Sequence, residues 1–76
     1  MTLAKQFGLV LQELRKEANL SQEKLAELAG YDRTYISLLE RGLRQPTITT
    51  IFDIAKALKT TPSYIIKSIE EKDKAH

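Results

Sequence analysis

Residues 22–41 read QEKLAELAGYDRTYISLLER. Two runs at helical spacing flank Gly30: Leu25, Ala26, Leu28 and Ala29 before it, Ile36 and Leu39 after it. Ser21 precedes the first run, where its hydroxyl can accept from free backbone amides, and Leu20 can staple onto Leu25. Gly30 follows, as the left-handed stop position prefers. Asp32 is the expected cap of the second run, Tyr31 can staple onto Ile36, and Gly42 stops it. Ala26 offers the small side chain that two steeply crossing helices need where they touch. With Ile36 and Leu39 turned onto the first helix, Arg33, Thr34, Ser37, Leu38 and Arg41 face out. A helix pair whose second member is polar and basic at its N-terminal end suits the major groove of DNA.

Working outward, every other segment also reads at helical spacing, and none keeps a period of two. Upstream, Leu3, Phe7, Val10, Leu11 and Leu14 share one face, with Gln6, Glu13, Lys16 and Glu17 on the other, and the pattern stops near Ala18-Asn19. Downstream, Thr47 caps a run with Ile51, Ile54, Ala55 and Leu58 inward. The last run opens at Thr61-Pro62, with proline at the first helical position. It carries Tyr64, Ile65, Ile66 and Ile69 and then fades into the charged residues 70–76. The three glycines and two prolines are expected between these segments. The expectation is an all-α fold: a compact five-helix domain spanning 1–76, with a helix-turn-helix at 22–41 and a polar tail at 70–76.

Seventy-six residues allow one small domain. Without cysteine there is no disulfide framework and no thiolate metal site, and the one histidine, His76, is the last residue. No metal and no cofactor are therefore expected. An enzyme is not expected either, because Ser21, Ser37, Ser63 and Ser68 have no histidine base within reach and no phosphate-cradling glycine loop appears. No apolar run approaches the roughly 18 residues that span a bilayer, and no cleavage-site pattern follows Leu9-Val10-Leu11. A cytoplasmic protein with no membrane partner is the expectation. The net charge of +2 permits nucleic acid as a partner. The charge is also unevenly spread: residues 33–45 hold three arginines against Glu40 alone, whereas residues 8–32 hold five acids and three bases.

Leu14-Arg15, Leu20-Ser21-Gln22, Leu25-Ala26, Gly30, Ile36-Ser37, Glu40-Arg41-Gly42, Pro46 and Ile54-Ala55-Lys56-Ala57-Leu58 together resemble the small helix-turn-helix domains of the lambdoid phage repressor and Cro group, the XRE family. The resemblance covers about Phe7 to Ile66. Asp32-Arg33-Thr34-Tyr35-Ile36-Ser37 is also similar to the recognition segment of restriction–modification controller proteins.

The resemblance implies site residues. Arg33, Thr34 and Ser37 would contact bases, arginine through guanine O6 and N7 and threonine through its hydroxyl and methyl. Tyr35 would join them, its hydroxyl reaching a phosphate or a base edge, or its ring would merely cover the helix. Gln22 would bond a phosphate and brace the recognition helix, and Arg41, Arg44 and Gln45 would hold phosphates in the following loop. Arg15 and Glu40 would form a largely buried ion pair between the first and third helices. Leu38 departs from the family, where a polar base-reader often stands; it would touch thymine methyls, pack on Tyr35 or make a protein contact. Tyr64, Ile65, Ile66 and Ile69 form more apolar surface than one face of the last helix needs, and family members dimerise through this end.

The function so implied is a sequence-specific transcriptional regulator, a homodimer on a near-palindromic operator in double-stranded DNA, blocking or recruiting RNA polymerase. No residue marks a polymerase-contact patch. The controller likeness points to restriction–modification genes. A different class of function is an antitoxin or protein-interaction module of the same fold; the few residues after Ile69 argue against a toxin-binding extension.

Overall fold

A computed structural model of the chain describes residues 1–74. Five helices follow in order: α1 (Leu3–Glu17), α2 (Gln22–Ala29), α3 (Arg33–Glu40), α4 (Ile48–Ala57) and α5 (Pro62–Lys74). Their starts are set by hydroxyl caps. Thr2, Ser21 and Thr47 accept from the amides of Lys5, Lys24 and Thr50, and Thr61 accepts from Tyr64, so the first free donors of four helices are satisfied. Asp32 stands at the cap of α3 as expected, but its side chain makes no capping bond. The stops are left-handed. Gly30 (φ 81°) and Gly42 (φ 74°) supply two of them, and Asn19 and Lys59, both at φ 59°, supply the others.

The core gathers Phe7, Val10, Leu11, Leu25, Ala26, Ile36, Leu39, Ile54, Ala55, Ile65 and Ile69 from all five helices. Helix α3 packs on α1 and α2, while α4 bridges α2 and α5, and α5 closes back onto α1. No described helix is long and apolar enough to cross a membrane.

Four sequence expectations change. Gly8 lies inside α1, not between segments. A Cβ there would come within 2.5 Å of the backbone oxygens of Leu39 and Glu40, so α1 and α3 meet backbone to backbone at this glycine. Gln6, placed by periodicity on the solvent face, is buried, and its amide donates to Asp73 Oδ1 at 3.1 Å. Leu3 and Leu28 are exposed, because each sits at the edge of its helix's apolar face. The charged stretch from Glu70 is helical through Lys74, where Lys72 pairs with Glu13 of α1 at 3.0 Å. Burial of Gln6 and these contacts to α1 carry the helix beyond its apolar run. His76 lies outside the described residues.

Candidate nucleic-acid interface

Helices α2 and α3, with Gly30 between them, form the expected helix-turn-helix. Arg33 and Thr34, at the N-terminal end of α3, are exposed, and Ser37 one turn on is half-buried. Arg41, Arg44 and Gln45 follow α3 and are exposed. Leu38, expected to face out, is half-buried, and its carbonyl accepts from Leu43.

Behind this face sits the expected ion pair. Arg15 Nε donates to Glu40 Oε2 at 2.6 Å, and Nη2 donates to Oε1 at 3.1 Å, a two-pronged contact. The guanidinium also donates to the Leu20 carbonyl through Nη1 at 2.7 Å. The hydrogen bonds to Glu40 push the Arg15 pKa further above its ordinary value, against the lowering effect of burial. Gln22 Nε2 donates to Glu40 Oε1 at 3.0 Å. Gln22 thus braces α3 directly, and its second amide hydrogen remains to meet an anion.

A second polar seam was not anticipated. It joins the turn and α3 to α4. Tyr31 donates to Asp53 Oδ2 at 2.6 Å. Its hydroxyl also lies 3.3 Å from Thr50 Oγ1, and the Tyr35 hydroxyl lies 3.2 Å from the same atom. Thr47 Oγ1 is 3.0 Å from Thr50 Oγ1. Thr50 is buried, only 3% exposed. The bond to Asp53 is the main cause that raises the Tyr31 phenol above its ordinary pKa, because it favours the protonated donor. The two tyrosine rings lie 5.2 Å apart, tilted by 34°, and the Arg44 guanidinium stands 5.7 Å over the Tyr35 ring. Tyr35, expected among the base contacts, is half-buried, with its hydroxyl beside Thr50 and the Arg44 guanidinium over its ring. The signal was present in the sequence as tyrosines four apart and hydroxyls three apart, but nothing in it paired the two sets.

The four apolar residues assigned to a dimer face divide. Ile65 and Ile69 are buried in the protomer's own core, whereas Tyr64 and Ile66 are half exposed. Ile66 borders an apolar groove of about 350 Å³ shared with Leu3, Phe7, Pro46 and Ile51. Helix α4 adds exposed Ile48 and Phe52. Among the described residues, no group of three His, Cys, Asp or Glu side chains is placed to hold a metal ion.

The helix-turn-helix family matches residues 11–65 of the chain. Control protein C.BamHI of Bacillus amyloliquefaciens is 41% identical over 61 residues, covering 79% of this chain and 75% of that protein. The restriction–modification controller protein C.AhdI of Aeromonas hydrophila superposes with a TM-score of 0.80 at 42% identity, over 82% of this chain and 94% of that one. The controller protein C.Esp1396I, solved as a tetramer on its natural 35 base-pair operator, superposes with a TM-score of 0.85 at 31% identity, over 93% of each chain.

Proposed function

Because the chain belongs to the helix-turn-helix family, we propose that it is a sequence-specific, DNA-binding transcriptional regulator of the restriction–modification controller type. One observation supports this most. The short α3 presents Arg33 and Thr34 to solvent at its N-terminal end, while its inner side is fixed to α1 and α2 by Arg15, Gln22 and Glu40. A helix held rigidly from behind and polar in front is suited to read base edges.

In the proposed complex Arg33, Thr34 and Ser37 read bases, and Gln22, Arg41, Arg44 and Gln45 hold phosphates that set the register. The arginines after α3 add an electrostatic component, so affinity falls as salt rises. The protein acts in the cytoplasm by occupancy, blocking or recruiting RNA polymerase, and not by catalysis. It binds as a homodimer joined through Tyr64 and Ile66, with the apolar groove beside Ile66 and the exposed α4 residues Ile48 and Phe52 as further contact area. Two recognition helices about 34 Å apart then enter successive major grooves of a near-palindromic operator.

Selection from a random duplex DNA pool at moderate salt tests this reading. A recovered palindrome with half-sites about one helical turn apart is the expected result. Recovery of no motif, or binding without sequence preference, refutes it.

A further inference from the structure

We infer that Thr50, a buried residue that no nucleic acid can reach, is a positioning residue for DNA recognition, acting through Tyr35 on Arg44. The inference rests on the regulator reading above and adds to it the residue that aims one of its arginines.

The geometry runs from the interior to the surface. Thr50 is only 3% exposed, so it touches no ligand itself. Its hydroxyl oxygen has three hydroxyl neighbours within 3.3 Å, from Tyr31, Tyr35 and Thr47. A threonine hydroxyl offers one donor and two acceptor positions, so three neighbours fill it. Tyr31 donates to Asp53, and between the Tyr35 and Thr50 hydroxyls either oxygen can be the donor. Tyr35 is therefore fixed at both ends of its ring system, with the hydroxyl at Thr50 and one side of the ring against Tyr31. The Arg44 guanidinium stands 5.7 Å from the centre of the same ring.

Arg44 lies in the loop between α3 and α4, where a long side chain has many rotamers. A fixed aromatic face under the guanidinium removes part of that freedom before binding, which lowers the ordering cost of a phosphate contact. The Thr50 hydroxyl sets where that face stands. Its position on α4 also ties the aim of Arg44 to the packing of α4 against α2, rather than to the loop alone.

The test compares Thr50→Val, which keeps shape and removes the hydroxyl, with Thr50→Ser, which keeps the hydroxyl, on the duplex selected by the unaltered chain. Thr50→Val should weaken binding about three- to tenfold and flatten the dependence of log affinity on log salt by about one phosphate contact. Thr50→Ser should restore both. Adding Thr50→Val to Arg44→Ala should cost nothing further, because the two act through one contact. Without DNA, the ring-current displacement of the Arg44 side-chain protons over the Tyr35 ring should shrink in Thr50→Val and return in Thr50→Ser. Tyr35→Phe removes the same hydroxyl bond from the other side and serves if Thr50→Val does not fold; it should reproduce the loss. Unchanged binding and salt slope in the folded variants, or losses that add to those of Arg44→Ala, overturn the inference while leaving the regulator reading intact. If the unaltered chain selects no sequence, the regulator reading falls and this inference falls with it.

Discussion

Replacing Glu40 by alanine strands Arg15, and the cost can be worked from the contacts. The carboxylate receives Arg15 Nε at 2.6 Å, Arg15 Nη2 at 3.1 Å and Gln22 Nε2 at 3.0 Å. The two side chains of the ion pair are only 11% and 2% exposed, so water does not replace the lost partner. After truncation Arg15 keeps one hydrogen bond, to the Leu20 carbonyl. A buried charge left in that state costs about 3–5 kcal/mol. In a domain of this size each kcal/mol moves Tm by about 4–8 °C, so the lower bound alone implies a fall of roughly 12–24 °C. Total stability for small domains starts near 5 kcal/mol, so Glu40→Ala takes most of it.

Thermal and urea unfolding followed by far-ultraviolet circular dichroism measure the loss. Two controls separate the mechanism from general damage. Lys24→Ala breaks an exposed pair, with side chains 53% and 68% exposed, and should leave Tm nearly unchanged. Arg15→Met combined with Glu40→Leu removes both charges and should recover a large part of the stability, because hydrophobic replacement of a buried pair is often neutral. An unchanged melting curve for Glu40→Ala refutes the reasoning. So does a double variant whose loss equals the sum of the single losses.

Four further outcomes follow from other parts of the molecule. Arg33→Ala should cost about 1–3 kcal/mol on the selected operator and relax preference at one position; an equal loss on every duplex would make Arg33 a phosphate contact. Gly8→Ala, whose methyl would stand 2.5 Å from two α3 carbonyl oxygens, should destabilise by at least about 1–3 kcal/mol in urea unfolding. Tyr31 has its pKa raised in the fold, so the native state holds a proton that the unfolded chain releases from about pH 10 upward; that contribution is whole below this pH and is lost as pH rises through the higher folded value. Tyr31→Phe should therefore show a shallower alkaline fall in Tm than the unaltered chain. Ile66→Asp should shift sedimentation toward monomer while leaving the helical spectrum intact, since Ile66 is half exposed.

The sequence made some features plain and hid others, for physical reasons. Helix starts were legible because Ser21 and Thr47 stand where a capping hydroxyl must stand, and both make the bond. The inward positions Leu25, Ile36, Leu39 and Ile54 were legible because apolar periodicity records burial directly, and all four are fully enclosed. The Arg15–Glu40 pair came from resemblance; periodicity alone marks two charges on inward-leaning faces without matching them. Gln6 was misplaced because a polar residue beside an apolar stripe reads as solvent-facing, and its partner, Asp73, lies 67 positions away. The Tyr31–Tyr35–Thr50–Asp53 seam was invisible for the same reason: each residue is an ordinary member of its own helix or turn, and only the packing of α4 brings them together. The surplus of apolar residues on α5 is legible in the sequence, but not which of the four stay exposed: the inner face takes Ile65 and Ile69 and leaves Tyr64 and Ile66.

Helix α3 has eight residues, well below the length at which an isolated helix persists in water. Its geometry is imposed by its neighbours through three different contacts. Backbone contact at Gly8 sets its distance from α1. Glu40, held by Arg15 and Gln22, fixes its C-terminal end. Tyr35, held by Thr50, ties its first turn to α4. Arg33 and Thr34, the proposed base readers, are exposed in the same turn, just before Tyr35. Damage should separate accordingly: the Gly8 and Glu40 contacts are buried and their loss appears first as instability, whereas loss of the Tyr35 clamp leaves the core intact and appears first as weaker binding.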